Sequence, residues 1–147
     1  MTTATIAQVI DKLATLQKAI TGVKSAFGHN QAPNSLRPAM LPAFVNVQGP
    51  AEPYAETFGR AVIVEQRQFR MLLYVCPIQM PSDVAKQADL VEPFHDLVLA
   101  KFKAEIKLDG LEITAAHYLG DEGLEPLDYA GEFYAGIEFK IRVDRQL

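Results

Sequence analysis

The run Ile137-Glu138-Phe139-Lys140-Ile141-Arg142-Val143-Asp144 places apolar side chains at every second position and charged ones between them. Successive side chains of a strand point to opposite faces, so this period of two predicts a strand with one buried and one wetted face. A second run, Phe69-Arg70-Met71-Leu72-Leu73-Tyr74-Val75-Cys76-Pro77, begins with the same alternation but turns apolar on both faces toward its end. That pattern predicts a central strand, covered by a helix on one side and by a partner element or another subunit on the other. Shorter stretches rich in β-branched and aromatic residues, at Ala43 to Val47, Arg60 to Val64 and Leu111 to Leu119, supply three further strands.

Two helices frame these strands. Ile6, Val9, Leu13, Leu16, Ile20, Val23 and Phe27 recur at alternating spacings of three and four, one apolar stripe that Gly28 and Asn30 bring to an end. Ser82 is placed to cap a second helix that runs to about Ile106, with Leu90, Val91, Phe94, Val98, Phe102 and Ile106 on one face and Pro93 imposing a kink or a restart. The order helix, three strands, helix, two strands predicts an α+β fold: a mixed or mainly antiparallel sheet of about five strands with both amphipathic helices on one face. At 147 residues the expectation is a single domain over residues 1–147. Within it, five prolines make an extended connection of about 31–53, suited to contacts, and a glycine-containing acidic loop occupies about 120–136.

Half of the chain is apolar (49%), enough to build a core without a metal or disulfide. The lone Cys76 fits a reducing compartment, and no basic leader or apolar run of about 20 residues points to export or a membrane, so folding in a cytoplasm is expected. A net charge of −4 gives no general affinity for nucleic acid. The charge is unevenly divided: seven basic and four acidic side chains in residues 1–80 give +3, and seven basic and fourteen acidic in 81–147 give −7. Such asymmetry would let identical subunits meet head to tail.

Catalytic chemistry finds little footing. Cys76 with His29, His95 or His117 is a conceivable nucleophile pair, but the thiol lies in an apolar strand end and the histidines lack metal-ligand spacing. Gly22, Gly28 and Gly49 form no phosphate-binding pattern. The expectation is no catalytic residue, no cofactor and no metal. Between Lys107 and Lys140 stand eight carboxylates and no Lys or Arg. Asp121-Glu122-Gly123-Leu124-Glu125 lacks the alternating oxygen ligands and central glycine of a calcium loop. Asp121, Glu122, Glu125, Asp128 and Glu132 are left either as a solvated acidic loop or as an acidic patch shared between copies of the chain.

A set of local motifs resembles the tail terminator, or tail completion, proteins of long-tailed bacteriophages. It comprises Leu41-Pro42-Ala43-Phe44-Val45 after a Pro-rich stretch, the Phe69 to Pro77 strand, and Val91-Glu92-Pro93-Phe94 in a helix. Tyr118-Leu119-Gly120-Asp121, Leu127, Tyr129, Gly131 and Tyr134-Ala135-Gly136-Ile137-Glu138-Phe139 complete it. The resemblance implies a compact non-enzymatic subunit of the virion neck. It would form a homo-oligomeric ring, a hexamer, that caps the tail tube protein, meets a head connector or stopper protein, and lets genome DNA pass through its lumen without specific binding. Another neck or tail role, such as a connector stopper or a tube-associated subunit, is the nearest alternative. A small α+β enzyme or ligand-binding domain is the alternative from a different class.

Overall fold

A computed structural model describes residues 3–55 and 63–147. The elements are α1 (Ile6–Lys18), β1 (Ser25–Phe27), β2 (Ala43–Ala55), β3 (Ile63–Ile78), α2 (Ala88–Lys103), β4 (Ala115–Tyr129) and β5 (Glu132–Gln146). The fold is α+β. Its five strands form one sheet in the order β1-β2-β3-β5-β4, antiparallel except for the β1–β2 pair.

β3 and β5 lie at the centre, as their apolar patterns require. Phe69, Met71 and Leu73 stand opposite Ile141, Phe139 and Ile137, and all six point to the face on which α1 and α2 pack. Val9, Ile10, Leu13 and Leu16 of α1 and Val91, Val98 and Phe102 of α2 complete this main core. The opposite face of the sheet carries a smaller cluster built from Ala43, Val45, Leu72, Tyr74, Leu127 and Tyr134. Leu36 and Leu41 of the Pro-rich connection roof it, so the second apolar face of β3 is covered by the chain itself.

Several boundaries differ from the sequence reading. α1 ends at Lys18, because Thr21-Gly22 turns the chain, with Gly22 at φ 91°, and residues 25–27 become the short edge strand β1. The three-four spacing runs on past the helix because Ile20 and Val23 still pack on the main core from the turn that follows. At its other end α1 is closed by a capping box: the Thr5 hydroxyl accepts the Gln8 N–H at 3.1 Å and the Gln8 side chain accepts the Thr5 N–H at 2.9 Å. The second helix opens as a 3₁₀ turn at Pro81–Gln87, contains Pro93 and stops at Lys103, leaving Ile106 62% exposed.

The stretches read as separate strands at 60–64 and 68–77 join in β3 from residue 63 onward, and residues 60–62 lie outside the described set. The extended connection shortens to residues 28–42, since β2 begins at Ala43 and passes Gly49-Pro50 through a bulge between Gln48 and Ala51. The largest correction concerns 120–136. It is no loop but most of the β4–β5 hairpin. Gly120 (φ 117°) and Gly123 (φ 74°) sit at two bulges in β4, and Pro126 is tolerated because β4 is the sheet's edge.

Polar groups inside the fold are paired. Gln17 is fully buried and exchanges two side-chain hydrogen bonds with Asn46 of β2, at 2.6 and 2.9 Å, while Asn46 also donates to the Phe27 carbonyl at 3.2 Å. This amide pair ties α1 to β1 and β2 at once. At one end of the helix-covered face, Glu65 accepts from Arg67 at 3.0 and 3.1 Å and from Arg145 at 3.1 and 2.6 Å. Arg145 also donates to the Ala4 carbonyl at 3.0 Å and Arg67 to the Gly49 carbonyl at 3.0 Å, so one carboxylate joins α1's entry, β2, β3 and β5. Burial pushes the Glu65 carboxyl up, but the Arg67 and Arg145 guanidiniums outweigh it and hold it below the usual range.

Two predictions follow from the core. Phe139 is fully buried, with its ring centroid 6.2 Å from that of Phe44, whereas Lys140 on the same strand points the other way. Phe139→Lys should leave the chain unfolded in thermal melts, since losing a buried aromatic costs about 3–5 kcal/mol against a total of roughly 5–15. Lys140→Ala should leave the midpoint nearly unchanged. Equal tolerance of both changes would contradict the facing of β5.

The second concerns Glu65. A carboxyl that titrates lower in the folded chain than in the unfolded one stabilises the fold fully above the unfolded value, 4.5, and loses that contribution as pH falls through the folded value. Denaturant titrations should show wild-type stability declining below that point, with Glu65→Gln less stable at neutral pH and flatter across the acidic range. Parallel profiles for the two chains would remove Glu65 from this role.

Candidate functional site

The five candidate carboxylates do not form one patch. β4 places Asp121 on the helix-covered side, where its Oδ2 meets His95 Nε2 of α2 at 2.7 Å and the Tyr118 hydroxyl at 3.5 Å. Its Oδ1 accepts the Gly123 N–H at 2.7 Å, bracing the second bulge. Asp121 is thus a structural knot between α2 and β4. Glu122 lies on the outer face and pairs with Lys140. Asp128 sits near the hairpin end, where its Oδ1 accepts the Gly131 N–H at 3.1 Å and its carbonyl accepts the Tyr74 hydroxyl at 3.2 Å. Glu132 accepts the Tyr134 hydroxyl at 3.1 Å.

Glu125 is different. It shares the outer face with Glu138, Glu122, Arg70 and Lys140, and it is in no hydrogen bond or ion pair among the described residues. Burial first, and then the nearby Glu138 and Glu122 charges, push its carboxyl up, and Arg70 and Lys140 offset this only in part because both hold other carboxylates.

Around these residues the outer face divides in two. Toward the hairpin turn, Tyr74 stacks edge-on against Tyr129 and Tyr134, with centroids 5.4 and 5.6 Å away. The Tyr134 hydroxyl, 3.2 Å from the Leu36 carbonyl, shares its one proton between that oxygen and Glu132, and the Tyr129 hydroxyl donates to the Pro33 carbonyl, which pins the Pro-rich connection over the cluster. Burial, followed by the neighbouring Tyr129 and Asp128, pushes the Tyr74 hydroxyl up to about 12. Away from the turn the face is charged. Arg70 pairs with Glu138, Lys140 with Glu122, and Asp144 takes Arg142 at 3.0 Å and His117 at 3.2 Å.

Cys76 and the three histidines belong to different segments: His29 follows β1, Cys76 is in β3, His95 in α2 and His117 in β4. Cys76 is half-buried and burial raises its thiol, the opposite of what activates a nucleophile. Among the described residues no group of three or more His, Cys, Asp or Glu is arranged to hold a metal. Among the described residues no helix is long and apolar enough to cross a membrane.

Sequence reasoning found the acidic residues but missed their partners, because Lys140 and Arg70 come from other strands and only the sheet register brings them close. A single signal was available: the alternation along β5 already put Glu138, Lys140, Arg142 and Asp144 on one face. The Tyr-rich roof had no comparable sign.

Comparison with protein-family models finds no match to this sequence, and neither does comparison with curated proteins.

The His95–Asp121 contact makes a pH prediction. Its neighbour Asp96 does most to raise the imidazole above 6.5, burial opposes the rise and Asp121 adds to it, so these carboxylate contacts stabilise fully below that value and are lost as pH rises through the folded value. Thermal midpoints should fall from mildly acid to mildly alkaline pH in the wild type and less so in His95→Asn. A variant that keeps the full wild-type slope would show that the contact carries no linkage.

Proposed function

We propose that this chain is a structural subunit of a long-tailed phage virion, similar to a tail terminator: copies form a ring at the head-proximal end of the tail tube and present a surface to the head connector. The observation that carries the reading is the outer face of the sheet, a broad, ion-paired surface on strands that also hold the terminator-like motifs. Such a surface suits reversible contact between large bodies, because most of its charges are already paired and each new contact displaces little. The resemblance spans β2, β3, α2, β4 and β5, so it follows the folded framework and not one loop. A net charge of −4 per chain gives a ring of copies no general hold on phosphates, which fits passage of DNA through the centre.

Cryo-microscopy of the intact particle whose genome encodes the chain tests this. The expected result is a closed cyclic assembly, six-fold by the resemblance, between tail tube and head connector, with both helices turned away from the tube axis. A chain found outside the neck and tail, or present there as one unpaired copy, would overturn the reading.

A further inference from the structure

The uneven charge of the sequence becomes a spatial separation in the fold, because β1 and β4 are the two outermost strands of the sheet. On the β1 side no carboxylate occurs between Asp11 and Glu52. Lys18 ends α1, Lys24 directly precedes β1, and both are exposed and in no ion pair among the described residues. Between α1 and β1 lies an open recess of about 260 Å³, lined by Ala14, Thr15, Ala26 and Gly28 with Asp11, Lys18 and Gln31. The Asp11 carboxylate is already engaged by the His29 N–H at 2.8 Å. On the other side, β4 carries Asp121, Glu122, Glu125 and Asp128 with no Lys or Arg along its length. His95 engages Asp121 and Lys140 engages Glu122, which leaves Glu125 unpaired and Asp128 exposed beyond its turn contact.

We infer that a second copy of this chain docks head to tail, Lys18 at the α1–β1 recess and the exposed Lys24 that precedes β1 on one copy receiving the β4 edge around Glu125 and Asp128 of the next. The two surfaces are different and lie at opposite edges of one sheet, so a pair in contact keeps one of each free. Repetition then closes a ring when the rotation per step allows. This contact deepens the ring reading and rests on it only in supposing that identical chains meet. It assigns Glu125 and Asp128 to the joint between subunits in preference to the lumen. A cation from a neighbour would also relieve the crowding of Glu125 by Glu138 and Glu122.

The joint runs through side chains and not through strand addition. β1 is three residues long and β4 is broken by two bulges and Pro126, devices that spoil continuous backbone pairing at an edge. Its strength should therefore fall steeply with salt.

Zero-length carbodiimide cross-linking tests the contact. Isotope-labelled and unlabelled wild-type chains are mixed at millimolar concentration and low salt, coupled, digested and read by mass spectrometry. The expected products are mixed-isotope peptides joining Lys18 or Lys24 to Glu125 or Asp128. Their yield should drop about tenfold in Lys24→Glu or Glu125→Lys alone. Mixing those two variants should restore coupling through the exchanged side chains, with circular dichroism showing each variant folded. Absence of mixed-isotope links between these residues, or equal yield from the single variants, would overturn the proposal. A particle reconstruction showing a ring joined through other surfaces would remove this contact and leave the ring reading in place.

Discussion

The antiparallel ladder between β3 and β5 is the constraint on which the rest of the structure depends. It runs almost the full length of both strands, from Val64 opposite Gln146 to Ile78 opposite Phe133. Six of its side chains, Phe69, Met71, Leu73, Ile137, Phe139 and Ile141, are almost wholly excluded from water and form the floor on which both helices lie. A slip of β5 by one residue would exchange Ile137, Phe139 and Ile141 for Glu138, Lys140 and Arg142, so the register is fixed by the cost of burying three charges. Everything outside the ladder is placed relative to it: β2 and β1 on one flank, β4 on the other, helices above, the Pro-rich connection below.

That ladder was also the most legible part of the chain, because a period of two written in Phe, Ile and Val against Lys, Arg and Glu leaves few alternatives. Legibility falls off with distance from it. The β4–β5 hairpin was hidden by Gly120, Gly123 and Pro126, residues that ordinarily mark loops and here mark an edge strand with two bulges. Whether a glycine breaks a strand or bends it depends on whether a partner strand waits beside it. For β4 that partner is β5, reached only through a turn at Ala130 and Gly131, both with positive φ. β1 was hidden by the opposite error, since Ile20, Val23 and Phe27 continue the helical spacing of α1 while serving other packing. Position in sequence carried the right burial and the wrong element.

The polar interior was not legible at all. Gln17 and Asn46 satisfy each other 29 positions apart, and Glu65 meets Arg145 across 80. No local pattern marks either pair. Both do the same work in the fold, which is to penalise wrong arrangements: an apolar stripe allows a helix to slide over a sheet, whereas a buried amide without its partner is left with unmet hydrogen bonds. The Glu65 network extends this to the entry of α1 through the Ala4 carbonyl, so the helix is registered at Gln17 by an amide pair and at its start by an arginine. A carboxylate between two guanidiniums is of uncertain net worth to stability but costly to break, which suits a role in specifying one arrangement.

The outer face of the sheet shows how these choices bear on assembly. A sheet of this length exposes two faces, and the helices cover only one. Had the outer face been apolar throughout, a partner would have been required for the chain to stay in solution, and association would have been permanent. Instead, Tyr129 and Tyr134 draw the chain's own connection over the apolar end through hydroxyl-to-carbonyl bonds, Tyr74 bonds beneath it to the Asp128 carbonyl of β4, and mostly paired charges fill the remainder. The chain thereby covers its own apolar end, and the rest of this face is polar. Contacts built from such surfaces are individually weak and grow strong only when many are held in place together, a property that the ring proposed above would need.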